Sequence, residues 1–195
     1  MPIWAQEYWG ASIHELGFSF ARANGTDYFP FIWLAKSLDI PWYLIADGEA
    51  QPLKNLEDAL KRASLPDTSK SPNIVVLPGG HNFETQLIAE GYQGEIEAAL
   101  NVTHGMANFL DNYIAMNDGT PLGGGKGNRD FKSAGGRDRA IADAMKKSKT
   151  KLAKPIANQI AGLADPTRKF PSAIGQLFKT IGTAHGLVKA GGTTP

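Results

Sequence analysis

Residues 42–50, WYLIADGEA, run from an unbroken apolar segment into two acids that flank a single glycine. A second apolar segment lies in residues 73–80, NIVVLPGG, and a stretch with leucines at helical spacing separates the two. Continuous apolar segments are typical of strands that are covered on both faces. Because such strands alternate here with helix-like stretches over short loops, we predict an α/β fold with a small parallel sheet flanked by helices. The strands are expected near residues 17–22, 42–46 and 73–77.

The composition is that of an ordinary globular protein. The chain has 195 residues, of which 42% are hydrophobic and 20% are charged, and this suffices for one domain with or without a helical appendage. No apolar run approaches the roughly 20 residues that a membrane span needs, and the first residues lack the pattern of a secretory signal. The absence of cysteine excludes disulfides and thiolate zinc sites. We therefore expect a cytoplasmic protein with no membrane segment.

Charge is divided unevenly along the chain. Residues 1–120 hold 6 Lys or Arg and 15 Asp or Glu, a net charge of −9, whereas residues 121–195 hold 14 and 4, a net charge of +10. Such asymmetry is expected when one part of a protein gathers cations and another binds a polyanion, although two ordinary solvated surfaces would give the same counts. Strand-like patterns also end near residue 95. The predicted domains are an α/β domain over residues 1–118, a Gly-rich loop or linker over 119–136 and a basic helical segment over 137–195.

Three acids follow the predicted strands. Asp47 and Glu49 come directly after residues 42–46, and Glu84 follows the next strand in the segment LPGGHNFE. In an open parallel sheet, chemistry is located at the carboxyl ends of the strands, where Gly48 would let the chain turn so that both acids face one point. Neighbouring carboxylates repel each other unless a cation lies between them, and oxygen ligands suit Mg²⁺ or Mn²⁺. The alternative is that these acids only cap the helices that follow.

This pattern resembles a known family. A strand that ends in Asp-x-Glu on a small parallel sheet is similar to the second acidic motif of Toprim domains. The longer run WLAKSLDIPWYLIADGEA…NIVVLPGGHNFETQLIAEG resembles the Toprim region of OLD-family (overcoming lysogenisation defect) nucleases, and the resemblance extends over residues 5–160. It implies a Toprim (Rossmann-like) sheet and a Mg²⁺- or Mn²⁺-dependent endodeoxyribonuclease that uses two ions. It also implies that Asp47, Glu49 and Glu84 bind metal, that Asp47 and Glu49 are catalytic, and that an upstream ATPase region is a partner.

The chain departs from the family pattern at one point. Toprim domains begin with a strand that leads into Glu-Gly-x-x-Glu, whereas the first residues here, MPIWAQEYWG, resemble the helix that follows this motif. Glu90 and Gly91 imitate the motif, but the next glutamate is Glu95, one position too far. We therefore expect the first Toprim strand to be missing. The segment PLGGGKGN is not a phosphate-binding loop, because Gly127 stands where Ser or Thr is needed, and His81 lacks the spacing of a metal-binding histidine motif.

A basic run, KKSKTKLAKP, occupies residues 146–155. It resembles the lysine-bearing helix that follows the Toprim domain in OLD nucleases, which implies a catalytic lysine, for which we favour Lys151 and then Lys149. Leu152, Ile156 and Ile160 recur at helical spacing, so this apolar face is expected to dock while the lysines stay exposed. The lysines expected to contact DNA phosphates are Lys146, Lys147, Lys149, Lys151 and Lys154.

Two other functional classes fit parts of the sequence. Asp47 could accept a phosphoryl group in a receiver-like signalling domain, although the acidic pair and the lysine that such a domain needs are not visible in order. The absent Glu-Gly-x-x-Glu strand favours a non-catalytic DNA-binding or assembly module. Metal-dependent nicking of DNA would separate a nuclease from both. The sequence leaves open whether the protein forms homo-oligomers.

Overall fold

The computed structural model describes residues 1–23 and 26–191, apart from the side chain of Lys149. Its strands are β1 (Leu44–Ala46) and β2 (Ile74–Val76). Its helices, in chain order, are α1 (Pro2–Trp9), α2 (Phe29–Ser37), α3 (Ala50–Arg62), α4 (Phe83–Ala89), α5 (Gln93–His104), α6 (Phe109–Asn117), α7 (Gly136–Ala161) and α8 (Ser172–His185). Helices therefore dominate the described chain, and both strands are short.

The chain folds into two compact units. The first contains Met1–Gln86 and the chain from Phe170 onward, and the second contains Leu87–Lys169. These units are divided differently from the predicted domains, because the second unit includes both the Gly-rich segment 119–136 and helix α7, while α8 belongs to the first unit. The Gly-rich segment is therefore a loop within one unit.

A small parallel sheet lies in the first unit. β1 and β2 pair in parallel, with Leu44 opposite Ile74, and α3 connects the two strands. Leu56 and Leu60, four positions apart on α3, share one helical face and are fully buried. Because burying a leucine contributes about 1.5–3 kcal/mol, this face stabilises the helix in its position beside the sheet. The predicted α/β class with a parallel sheet flanked by helices is confirmed at this level.

The predicted strand at residues 17–22 is wrong. None of these residues joins a ladder within the described chain. The backbone N–H of Phe18 instead donates to the carbonyl of Ile13 at 2.8 Å, and the Phe18 ring stacks on Trp9 with centroids 6.5 Å apart. Phe20 is 42% exposed. Alternating apolar residues suggested a strand, but the backbone N–H and C=O groups of a strand must also pair with those of a neighbouring strand. Here the Phe18 N–H closes a local turn instead.

Helices α5, α6 and α7 pack together in the second unit. Ile96 of α5 and Ile141 of α7 are fully buried. The guanidinium of Arg137, at the start of α7, donates to Glu97 of α5 at 2.6 Å and to Asp111 of α6 at 2.7 Å. One side chain therefore links all three helices by charge-assisted hydrogen bonds.

The Gly-rich loop of the second unit is a closed hairpin. Pro121 and Asn128 form an antiparallel bridge, and Arg129 Nε donates to Asp143 Oδ2 on α7 at 2.8 Å. The hydroxyl of Tyr113 donates to the same oxygen at 2.6 Å. Burial raises the pKa of Asp143, but these two donors outweigh burial, so the pKa lies below its ordinary value. The hairpin is thus anchored to α7 by a carboxylate that is held in its charged form.

Candidate functional site

Asp47 and Glu49 lie in the short loop between β1 and α3, at the carboxyl end of the strand. Asp47 is half-buried and Glu49 is exposed. Glu49 occupies the N-cap position of α3, yet its side chain makes no capping hydrogen bond there. Burial and, second, the negative charge of Asp47 raise the pKa of nearby Tyr28. The acids therefore stand at the predicted edge of the sheet, and Glu49 does not cap α3 through its side chain.

Gly48, between the two acids, is held against the loop that follows β2. Its N–H donates to the carbonyl of His81 at 2.7 Å. A Cβ built on Gly48 would lie 2.1 Å from the carbonyl oxygen of Leu77, a distance that no side-chain carbon can occupy. We predicted that Gly48 is needed for a turn, but the structure gives a different reason, which is the close approach of two backbones.

Each acid accepts a hydrogen bond from the segment that leads into α4. The backbone N–H of Phe83 donates to Asp47 Oδ1 at 3.2 Å. The side-chain amide of Asn82 donates through Nδ2 to Glu49 Oε1, also at 3.2 Å. The loops after β1 and β2 are therefore joined at three points, counting the bond from Gly48. The β2–α4 loop therefore contributes a hydrogen-bond donor to each of the two carboxylates.

Asn82 also caps helix α4. Its Oδ1 accepts the backbone N–H of Thr85 at 3.0 Å, and its own N–H donates to Thr85 Oγ1 at 3.1 Å. This reciprocal pair is a capping box with threonine in the third position. The sequence reasoning missed Asn82 as a site residue. The spacing Asn-x-x-Thr before the apolar pair Leu87 and Ile88 was the signal that could have located the cap, but no local signal indicated its contact with Glu49.

Glu84, the predicted third metal ligand, lies in the first turn of α4 and is only 9% exposed. Within residues 1–23 and 26–191, no three His, Cys, Asp or Glu side chains lie close enough together to hold a metal ion. The structure therefore brings Asp47 and Glu49 to a common loop but does not assemble them with Glu84 into a three-residue site. His81, interpreted as a polar loop residue, has its Nδ1 3.0 Å from Gln86 Oε1.

The predicted basic helix is interrupted. Ser148 has φ −130° and ψ 19°, so α7 is broken within the lysine run. Leu152, Ile156 and Ile160 are buried, which confirms the predicted docking face. The described lysines of the run are all exposed: Lys146, Lys147, Lys151 and Lys154.

Lys147 differs from its neighbours because it already has partners in the second unit. Its Nζ lies 3.4 Å from Asn117 Oδ1, 3.8 Å from Asp143 Oδ2 and 4.8 Å from the centre of the Tyr113 ring. These contacts hold Lys147 beside the anchored hairpin. The side chain of Lys149, the second candidate for a catalytic lysine, lies outside the described part of the chain.

Comparison with known proteins identifies no relative. No protein-family model matches the chain, and no curated protein or solved structure is significantly similar to it. In the described part of the chain, none of the helices combines the length and the apolar character that crossing a membrane requires.

Proposed function

We propose that this chain is part of an OLD-like, Mg²⁺- or Mn²⁺-dependent endodeoxyribonuclease, to which it contributes the Asp47-Gly48-Glu49 motif. The observation that carries this proposal is the position of the motif at the carboxyl end of a parallel strand, with its glycine pressed against Leu77. Ligands bind at this edge in open α/β sheets. The close contact of Gly48 with Leu77 restricts the backbone between the two carboxylates. Two acids that only face solvent would not require such a restriction.

The chemistry of this motif suits a hard divalent cation, while the number of ligands does not complete a site. Asp47 and Glu49 would hold the ion through carboxylate oxygens, with Glu84 as the proposed third ligand. A bound ion would activate water and stabilise the leaving oxygen during phosphodiester hydrolysis. Because no group of three ligands occurs in the described residues, these residues would supply only some of the ligands of such a site. Magnesium often keeps several waters and binds through only one or two carboxylates.

Contact with DNA is proposed for the second unit. Lys146, Lys151 and Lys154 are exposed, and residues 121–169 of this unit hold 12 Lys or Arg and 4 Asp or Glu, a net charge of +8. Lysines of this kind neutralise phosphates without reading base sequence. Lys151, in the helical segment after the break at Ser148, is the proposed catalytic lysine, and its role there would be to stabilise charge that develops on the phosphoryl group.

A second candidate function is a non-catalytic DNA-binding or assembly module. It is favoured by the same absence of a three-residue metal site from the described residues. Such a module would share the basic surface and the salt-dependent affinity for DNA. It would bind neither Mn²⁺ nor Mg²⁺ at the acidic loop, and it would leave supercoiled DNA intact.

The deciding experiment combines calorimetric titration with Mn²⁺ and nicking of supercoiled DNA, for the wild type and two variants. Asp47→Asn removes a charge but keeps an oxygen that can accept the Phe83 N–H, so the fold should persist. We expect Mn²⁺ affinity and nicking to fall by at least about tenfold, the lower end of what loss of even an outer-shell partner costs. Asp58→Asn, at an exposed position on α3, is the matched control and should behave as wild type.

The possible results separate the two candidate functions. Mn²⁺ binding and nicking that depend on Asp47 and not on Asp58 support the nuclease. A wild-type chain that binds DNA but neither binds Mn²⁺ nor nicks supports the non-catalytic module. Equal Mn²⁺ affinity in wild type and Asp47→Asn would show that the motif is not the metal site.

A further inference from the structure

The side chain of Asn82 makes hydrogen bonds both in the cap of α4 and to Glu49 in the acidic loop. Its oxygen Oδ1 accepts the Thr85 N–H at 3.0 Å and lies 3.1 Å from the Thr85 hydroxyl, as part of the cap of α4. Its nitrogen Nδ2 donates to Glu49 Oε1 at 3.2 Å, across 33 positions of sequence. One amide therefore serves the helix cap with one end and the acidic loop with the other.

The cap determines which end of the amide faces Glu49. A backbone N–H can only donate, so the end of Asn82 that meets Thr85 must be the oxygen. The NH₂ end is then directed to Glu49, whose carboxylate can only accept when it is ionised. The backbone of Asn82 is fixed as well, because its carbonyl accepts the Gln86 N–H at 2.9 Å. Neither a flip of the amide nor a shift of the residue is compatible with these bonds.

We propose that Asn82 is a positioning residue that holds the Glu49 carboxylate in the direction needed to bind a divalent cation. This inference rests on the proposed function. Glu49 is exposed on a loop, and a glutamate side chain without a fixed partner samples many rotamers. A rigid neutral donor restricts that freedom before the ion arrives, and pre-organisation of this kind raises affinity. Because the donor is uncharged, it orients Glu49 without replacing the cation.

The substitution that tests this role is Asn82→Ser. Serine is as good an N-cap as asparagine, so helix α4 should remain, but its short hydroxyl cannot also reach Glu49. Thr85→Val is the matched control, because it weakens the cap while leaving the Asn82 amide beside Glu49. We expect Mn²⁺ affinity, measured by calorimetry, to fall about 10- to 100-fold in Asn82→Ser, as for loss of other outer-shell partners. Thr85→Val should stay within about twofold of wild type.

A double-mutant cycle distinguishes positioning from a general effect on folding. In a Glu49→Ala background, Asn82→Ser should cause no further loss of Mn²⁺ affinity, because its only effect on the ion acts through Glu49. Additive losses in the cycle, or wild-type affinity in Asn82→Ser, would overturn the positioning role while leaving the proposed nuclease intact.

A measurement without metal tests the contact between Asn82 and Glu49 directly, independently of the proposed nuclease activity. The side-chain NH₂ signals of Asn82, observed by NMR, should shift in Glu49→Ala and remain unchanged in Asp58→Ala. Signals that respond to neither substitution would overturn the contact on which the positioning role depends.

Discussion

Replacing Gly48, which is buried in the loop after β1, with alanine should destabilise the first unit. The added Cβ would lie 2.1 Å from the carbonyl oxygen of Leu77 and 3.1 Å from its carbonyl carbon. Even weakly attractive carbon–oxygen contacts are about 3.3 Å or longer, so one of the two loops must move by more than about 1 Å. That movement also breaks the bond from the Gly48 N–H to the His81 carbonyl, now 2.7 Å long.

The expected cost follows from these two effects. Forcing an extra carbon into a packed site costs about 1–3 kcal/mol, and the lost hydrogen bond adds about 1 kcal/mol. Together they predict that Gly48→Ala lowers the free energy of unfolding by about 2–4 kcal/mol. A glycine that merely gave the loop freedom would not produce this loss, because its replacement would reduce the entropy of the unfolded chain and could stabilise the protein.

Urea unfolding followed by tryptophan fluorescence measures this effect in the first unit alone. All tryptophans of the sequence lie in that unit: Trp4, Trp9, Trp33 and Trp42. Gly175→Ala is the matched control, since Gly175 lies within α8 and a Cβ there would make an ordinary contact of 3.9 Å. This control should raise stability by about 0.5–1 kcal/mol, the difference between alanine and glycine in a helix. The reasoning is refuted if Gly48→Ala shifts the urea midpoint in the same direction as Gly175→Ala, or leaves it unchanged.

Two further predictions concern the second unit. The depressed pKa of Asp143 means that its carboxylate stabilises the fold above the unfolded value of about 3.9 and that this contribution is lost as pH falls through the lower folded value. Asp143→Asn should therefore be less stable than wild type near neutral pH and should lose less stability on acidification below about pH 4. Urea unfolding followed by circular dichroism at several pH values measures this. If the free energy of unfolding fell equally with pH in both proteins, the prediction would be wrong. Replacing Lys151 and Lys154 with alanine should reduce the salt dependence of DNA binding by about 0.9 log units per lost phosphate contact, whereas Lys70→Ala in the first unit should not. An unchanged slope in the double variant would exclude these lysines from the DNA interface.

The parts of the fold that sequence could predict are those with a local cause. The apolar runs at 42–46 and 73–77 contain the two observed strands, and the leucines of α3 occupy the face that is buried. The segment 17–22 carried a similar local pattern, yet its backbone N–H at Phe18 bonds to Ile13 in place of a neighbouring strand. Pairing depends on which segments meet in space, and one sequence does not contain that information.

In the candidate site, too, sequence could locate only the residues whose position has a local cause. Asp47 and Glu49 could be located from their place after a strand, because the carboxyl ends of parallel strands share an edge. The role of Gly48 could not, since it depends on the carbonyl of Leu77, which approaches from another loop. Nor could the donor from Asn82, which reaches Glu49 across 33 positions. Such contacts form only when the two loops meet in the fold, and the sequence of neither loop predicts them on its own.

The contacts of the acidic loop bear directly on why two carboxylates should stand one residue apart. Residues i and i+2 of an extended chain face the same side, so Asp47 and Glu49 would repel each other there. The fold orients them with two donors from Asn82 and Phe83, and both donors are neutral. Neutral donors fix the direction of a carboxylate without cancelling its charge, so these two hydrogen bonds orient the acids without neutralising them. Asn or Ser could serve as hydrogen-bond acceptors in their place, whereas a hard divalent cation prefers carboxylate oxygens, so the proposed metal site would account for the use of two acids.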